Sequence, residues 1–144
     1  MRMIDVGDKP VTKRAATATA FVHLAPVVLE HIRAGTLPKG DVLAVSRITA
    51  VTAAKQTPTL LPLCHPLPLS KVEPSVELEA DGVRIVVTCE TTAQTGVEME
   101  ALTAASAAAL CVYDMTKGID PTGSIEDIKL LKKSGGKSGH WERA

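Results

Sequence analysis

Two runs of alternating residues flank Asp81-Gly82, and no other feature restricts the fold of this chain as tightly. From Lys71 to Glu79, Val72, Val76 and Leu78 fall on one face, while Lys71, Glu73, Ser75, Glu77 and Glu79 fall on the other. Val83, Ile85, Val87 and Cys89 repeat that period. Side chains alternate across a strand, so each run is a strand with one apolar face. Asp-Gly is a strong hairpin signal, which makes the two strands antiparallel neighbours turning at Asp81-Gly82.

The other elements arrange themselves around this hairpin. Val11 to Val22 alternates at period two and reads as a first strand. Pro26 can open a helix that carries Val27 to Ala34 and stops at Gly35. Asp41 can cap a second helix, with Val42, Val45, Ile48, Val51 and Thr52 on one stripe and Arg47 and Lys55 facing away. That helix is expected to end at Thr57, before Pro58. Pro58, Pro62, Pro66 and Pro68 forbid a regular helix through Leu60 to Leu69, leaving a stiff connection. Val97 to Lys117 is rich in alanine and leucine, has acidic residues in its first turn, and is stopped by Gly118 and Pro121. Ile125, Ile128, Leu130 and Leu131 mark a last strand.

Strand, helices, strand, strand, helix, strand is a split βαβ order. It predicts an α+β, ferredoxin-like antiparallel sheet of four strands, with one additional helix and the helices packed on one face. The 144 residues, 45% of them hydrophobic, fit a single domain over 1–144 without repeats or linkers. The small residues of the long helix, Ala101, Ala104, Ala105, Ala107, Ala108 and Ala109, permit close approach to the sheet or to a second copy of the chain.

Composition excludes several functions. Zero formal net charge and 2% aromatics remove the basic field and stacking platforms of a general nucleic-acid binder. No apolar run reaches the roughly 20 residues of a membrane span, and Met1 to Lys13 lacks a signal-peptide layout, so a cytoplasmic protein is expected. Cys64, Cys89 and Cys111 are widely spaced, which suits a reducing compartment, and with His23, His31, His65 and His140 they complete no zinc ligand set. No metal site is expected.

Candidate chemistry is scattered along the chain. Lys132 to His140 is a glycine loop studded with lysines, suited to gripping phosphate oxygens. Leu131 stands where a Walker A loop needs glycine, so this is not a P-loop, and a polar terminal tail stays open as the alternative. Asp114 and Lys117, three apart on the long helix, can act as an acid and base pair or form an ordinary exposed ion pair. Glu98 and Glu100 either serve the site or complement the helix dipole. Fourteen residues separate Glu100 from Asp114, about 20 Å along a continuous helix. One small substrate cannot easily touch both in one subunit, so either the first turn is not helical or a second subunit completes the site. Cys64 and His65 lie in the proline-held connection, where His65 either serves the site or packs the loop, and Lys39 and Arg14 are further anion candidates or, each taken alone, solvated surface charges.

Taken together, Leu63-Cys64-His65-Pro66-Leu67, Leu69-Ser70-Lys71-Val72, Thr95-Gly96-Val97-Glu98-Met99-Glu100-Ala101-Leu102, Tyr113-Asp114-Met115 with Lys117, and Lys133-Ser134-Gly135-Gly136-Lys137-Ser138-Gly139 resemble the cyclic pyranopterin monophosphate synthases, the MoaC family of molybdenum cofactor biosynthesis. Met3-Ile4-Asp5-Val6 and Lys39-Gly40-Asp41-Val42 extend the resemblance nearly end to end, although Gly118 stands where the family often has alanine and Ala18 to Val22 fit less closely. The resemblance implies a single catalytic domain, a lyase. Its substrate would be the 3′,8-cyclised dihydro-GTP supplied by a radical SAM enzyme, and its products cyclic pyranopterin monophosphate and diphosphate. It implies Asp114 and Lys117 as acid and base, and Lys39, Lys133, Lys137 and Arg14 on the triphosphate. His65, Glu98 and Glu100 would hold or protonate the base, with Leu63, Cys64 and Met99 also lining the site. No cofactor is required, Mg²⁺ on the triphosphate being left open. The assembly would be a homohexamer, a trimer of dimers with sites at subunit interfaces, and no nucleic acid or membrane is a partner. The rival is a non-catalytic oligomeric module that binds a nucleotide through its C-terminal loop.

Overall fold

A computed structural model describes residues 1–144, and its elements follow the expected order with one addition. They are β1 (Thr12–His23), α1 (Pro26–Ala34), α2 (Val42–Leu60), β2 (Leu69–Glu79), β3 (Gly82–Ala93), α3 (Glu98–Thr116), β4 (Ser124–Ser134) and β5 (Trp141–Glu142). The strands form one sheet in the order β2-β3-β1-β4-β5, with every pair antiparallel. This is the ferredoxin-like α+β arrangement. The added strand pairs Trp141 and Glu142 with Lys133 and Lys132, so the glycine loop is the tip of a hairpin and not a tail.

The helices cover one face of the sheet. Ala16, Ala18, Ala20 and Val22 of β1 and Val83, Ile85, Val87 and Cys89 of β3 meet Val28, Val42, Ala50 and the alanines of α3 in a single core. The alternation in β2 holds, with Val76 fully buried and Lys71, Glu73, Ser75, Glu77 and Glu79 exposed. Pro74 costs the ladder little because β2 is an edge strand. On the opposite face, Thr17 and Thr88 share a 2.8 Å hydroxyl hydrogen bond. Arg84 lies 4.7 Å over the Phe21 ring there and donates to Thr19 Oγ1 at 3.2 Å.

Pro26, Gly35 and Asp41 act as their chemistry predicts. Pro26 begins α1, Gly35 ends it at φ 68°, and Asp41 Oδ1 accepts from the Ala44 amide at 3.1 Å. Several expectations are corrected. The hairpin turn is Ala80-Asp81, because Glu79 pairs with Gly82. Gly82 has no positive φ; it is glycine because a Cβ there would collide with the Val22 carbonyl oxygen on β1. The second helix runs through Pro58 to Leu60. Pro58 sits in its last turn, where the missing N–H deletes one bond and the Leu61 amide still donates to Thr57 O at 2.9 Å.

The stripe of α2 is also different. Its buried residues are Val42, Ser46, Ala50, Ala53, Ala54 and Thr57, while Val45 is 39% and Ile48 67% exposed. The cause lies in α3, whose Ala101, Ala104, Ala105, Ala108 and Ala109 are buried and let α2 pack close beside it. Close approach favours small side chains on both helices, so the larger residues turn outward. The alanine face is thus used inside the chain and is not left for another copy. Arg47 does not face away: its Nη2 donates to the Val76 carbonyl on edge strand β2 at 3.1 Å. In β4, two register shifts and Asp127 at φ 59° break the alternation, which sends Ile125 and Leu130 to the core and leaves Ile128 exposed.

Candidate active site

The proline-rich connection folds against the start of α3 and leaves the largest cavity in the molecule. It has a volume of about 670 Å³ and is lined by Leu63, Cys64, His65, Gly96, Glu98 and Met99, among others. Thr91 Oγ1 on β3 donates to Pro68 O at 2.7 Å and fixes one end of the connection. The N-terminal segment supplies the outer wall through Arg2, Ile4, Val6 and Lys9. Gln94 Nε2 holds that segment in place by donating to Gly7 O at 3.1 Å.

Glu98 is the one carboxylate in the lining of this cavity, and Glu100 lies buried behind Cys64. Glu100 is only 1% exposed, and its Oε1 has no hydrogen-bond partner. Cys64 Sγ lies 4.0 Å from Glu100 Oε2. Burial pushes the Glu100 carboxyl above its ordinary range, helped by the nearby Glu98. Burial first, and then the charges of Glu100 and Glu98, push the Cys64 thiol up. Glu98 meets Lys133 at 3.4 Å, which joins the first turn of α3 to the end of β4.

A second cluster stands at the other end of α3. Asp114 Oδ2 accepts from Lys39 Nζ at 2.8 Å, and its Oδ1 lies 3.2 Å from Lys117 Nζ. All three side chains are about half exposed. Hydrogen bonds from Lys39, and next from Lys117, hold the Asp114 carboxyl below the usual carboxylate range. The helix is regular from Glu98 onward, so a non-helical first turn is excluded. About 20 Å therefore separates Glu100 from Asp114 within one chain.

Arg14 is placed otherwise than a phosphate ligand on the surface would be. It is 6% exposed, with Nε donating to Ala93 O at 3.1 Å and Nη2 to Gln94 O at 3.2 Å. The Gly135-Gly136 tip, at φ 92° and 71°, packs directly on it; a Cβ on Gly136 would strike the guanidinium. Lys137 projects from that tip into solvent. No group of three or more His, Cys, Asp or Glu side chains gathers in metal-binding geometry, and no helix is long and apolar enough to cross a membrane.

A family model described as MoaC family matches residues 3–136. The chain belongs to the MoaC family. It is also 51% identical, over 143 residues, to a molybdenum cofactor biosynthesis bifunctional protein of Synechococcus elongatus. That match takes in 98% of this chain and 45% of the relative, so the chain spans under half the length of the curated protein it matches.

In this MoaC-family chain, Leu63, Cys64, His65, Glu98 and Met99 share one cavity, with Glu100 beneath it and Lys133 at its edge. Lys39, Asp114 and Lys117 share the other cluster. Lys39 is thereby more than a lone anion ligand, since it is the closer of the two cations on Asp114. The cavity residues Arg2 and Lys9 were not among the residues expected at the site. Their signal was the Met3-Ile4-Asp5-Val6 block, which carries family resemblance but no obvious chemistry of its own.

Proposed function

We propose that this MoaC-family chain is a cyclic pyranopterin monophosphate synthase. It is a lyase that converts (8S)-3′,8-cyclo-7,8-dihydroguanosine 5′-triphosphate to cyclic pyranopterin monophosphate and releases diphosphate. The observation that carries this reading is the pair of clusters at the two ends of one helix, with the cavity lined by His65 and Glu98 at one end and an acid between two amines at the other.

The chemistry suits those groups. Forming the cyclic phosphate requires a substrate hydroxyl to lose its proton and attack phosphorus as diphosphate leaves. Asp114 and Lys117, 3.2 Å apart, serve as the acid and base pair for these proton transfers. Lys39, Lys133 and Lys137 bind phosphate oxygens, while His65, Glu98 and Glu100 hold the base. The buried Arg14 shapes the glycine hairpin, with its Nη1 turned toward Gly136, and joins the phosphate ligands through that face. A second subunit, in a hexamer built as a trimer of dimers, brings the Asp114 cluster of one chain to the cavity of another and so spans the 20 Å gap. No cofactor beyond Mg²⁺ travelling with the triphosphate is invoked. A radical SAM enzyme supplies the substrate in the cytoplasm.

The test is diphosphate release by wild type and Lys117→Ala from the cyclised dihydro-GTP. Wild type should turn over, and the variant should lose roughly 10²- to 10⁴-fold in rate while still folding and binding substrate. Absence of turnover by wild type would favour a nucleotide-binding module instead.

A further inference from the structure

Glu98 and Lys133 belong to different elements, yet their charged ends meet at 3.4 Å with each side chain only about a third exposed, at 30% and 33%. The Glu98 carboxylate folds back over Gly96 so closely that a Cβ on residue 96 would collide with both carboxylate oxygens. Gly96 does not take a positive φ, so backbone freedom is not what glycine supplies here. The missing side chain is, because it makes the seat in which Glu98 reaches Lys133.

We propose that Glu98 occupies Lys133 as an internal stand-in for a substrate phosphate, and that Gly96 is the positioning residue that seats it. A carboxylate and a phosphate present the same acceptor oxygens to an ammonium, and their like charges disfavour holding both at once. An incoming phosphate takes over Lys133 and releases the Glu98 carboxylate into the cavity it lines. There it accepts from the N–H groups of the purine-derived ring. Recognition of the phosphate end is thereby linked to recognition of the ring. This inference rests on the reading of Lys133 as a phosphate ligand.

Inorganic tripolyphosphate separates the two halves, since it must displace Glu98 yet offers no ring for the freed carboxylate. Its affinity is measured by titration calorimetry at fixed low salt. Glu98→Gln and Gly96→Ala should each tighten tripolyphosphate about two- to five-fold, the range of a partly exposed ion pair. Both gains should vanish in a Lys133→Ala background, and Glu98→Gln should weaken the complete nucleotide. Gly96→Ala keeps the charge and displaces only the flexible end of Glu98, whereas Glu98→Gln keeps the shape. If either variant misfolds, the other carries the test.

Unchanged or weaker tripolyphosphate binding in these variants, with Lys133→Ala still impaired, overturns the stand-in and leaves Lys133 a phosphate ligand. A gain in Glu98→Gln that survives in Lys133→Ala also overturns it, because Glu98 then acts only as background charge. Equal tripolyphosphate binding by wild type and Lys133→Ala, or none by either, removes Lys133 as a phosphate ligand and the stand-in with it.

Discussion

Replacing Glu100 by Gln should make the protein more stable at neutral pH and no more stable in acid. Glu100 Oε1 is buried without a partner, and the side chain as a whole is 1% exposed. An unsatisfied buried acceptor costs ~1–3 kcal/mol, and a charged one stands at the upper end. Glutamine keeps the shape and removes the charge, so the gain at pH 8 should be of that order. For a domain of this size that is about 3 to 10 °C in Tm. The sign follows from the raised carboxyl. Its ordinary value is 4.5, and burial lifts the folded value above it. The neutral form therefore favours the fold, and that stability is fully present below 4.5 and lost as pH rises through the folded value. Thermal melts of both proteins at pH 4.5 and 8 should show similar Tm in acid and a gap opening toward pH 8. A destabilised variant at pH 8 would refute the reasoning and mean that Glu100 has a counter-ion in the assembled protein. A gap independent of pH would refute it as well.

Gly82→Ala should destabilise by about 1–3 kcal/mol in urea unfolding, because its Cβ meets the Val22 carbonyl, whereas Gly118→Ala, with open space and no positive φ, should stabilise by about 0.4–1 kcal/mol. Iodoacetamide at pH 7.5 should alkylate Cys64 more slowly than a free thiol, and faster in Glu100→Gln, because one of the charges raising that thiol is gone. Cys89, buried and pushed up to about 12, should stay unlabelled until the protein unfolds; mass mapping of the label reads both cysteines. Lys39→Ala should raise the Asp114 titration toward the ordinary carboxylate range, since Lys39 is the main cause of its depression, and carbon-13 NMR of the carboxyl would detect the change.

Local chemistry was legible in the sequence, and chemistry that depends on distant partners was not. The alternation around Ala80-Asp81, the Asp41 cap and the Pro26 and Gly35 boundaries each depend on a few adjacent residues, and each reads directly. The face of α2 depends on the alanines of α3, so a hydrophobic stripe drawn through Val45 and Ile48 chose the wrong side. The two-residue β5 has no periodicity to reveal it and exists only because β4 is there to pair with. At the site, the Asp114 and Lys117 pair followed from helical spacing, but Lys39 arrives from 75 residues away. Arg14 looked like a surface charge because its acceptors, Ala93 and Gln94, lie 79 and 80 positions along the chain.

That guanidinium has a consequence for how the cavity border moves. Arg14 also reaches Pro10 O at 3.4 Å, so one side chain is bonded to the N-terminal segment and to the end of β3, and it carries the glycine hairpin on its surface. These segments would otherwise fluctuate as independent loops. Riveted at one point, they share a single opening equilibrium, and exchange of their amides with solvent becomes a property of the rivet rather than of each segment. A change at the hairpin tip would then be felt through Arg14 at Ala93 and Gln94, ahead of α3, in addition to the direct Glu98–Lys133 contact.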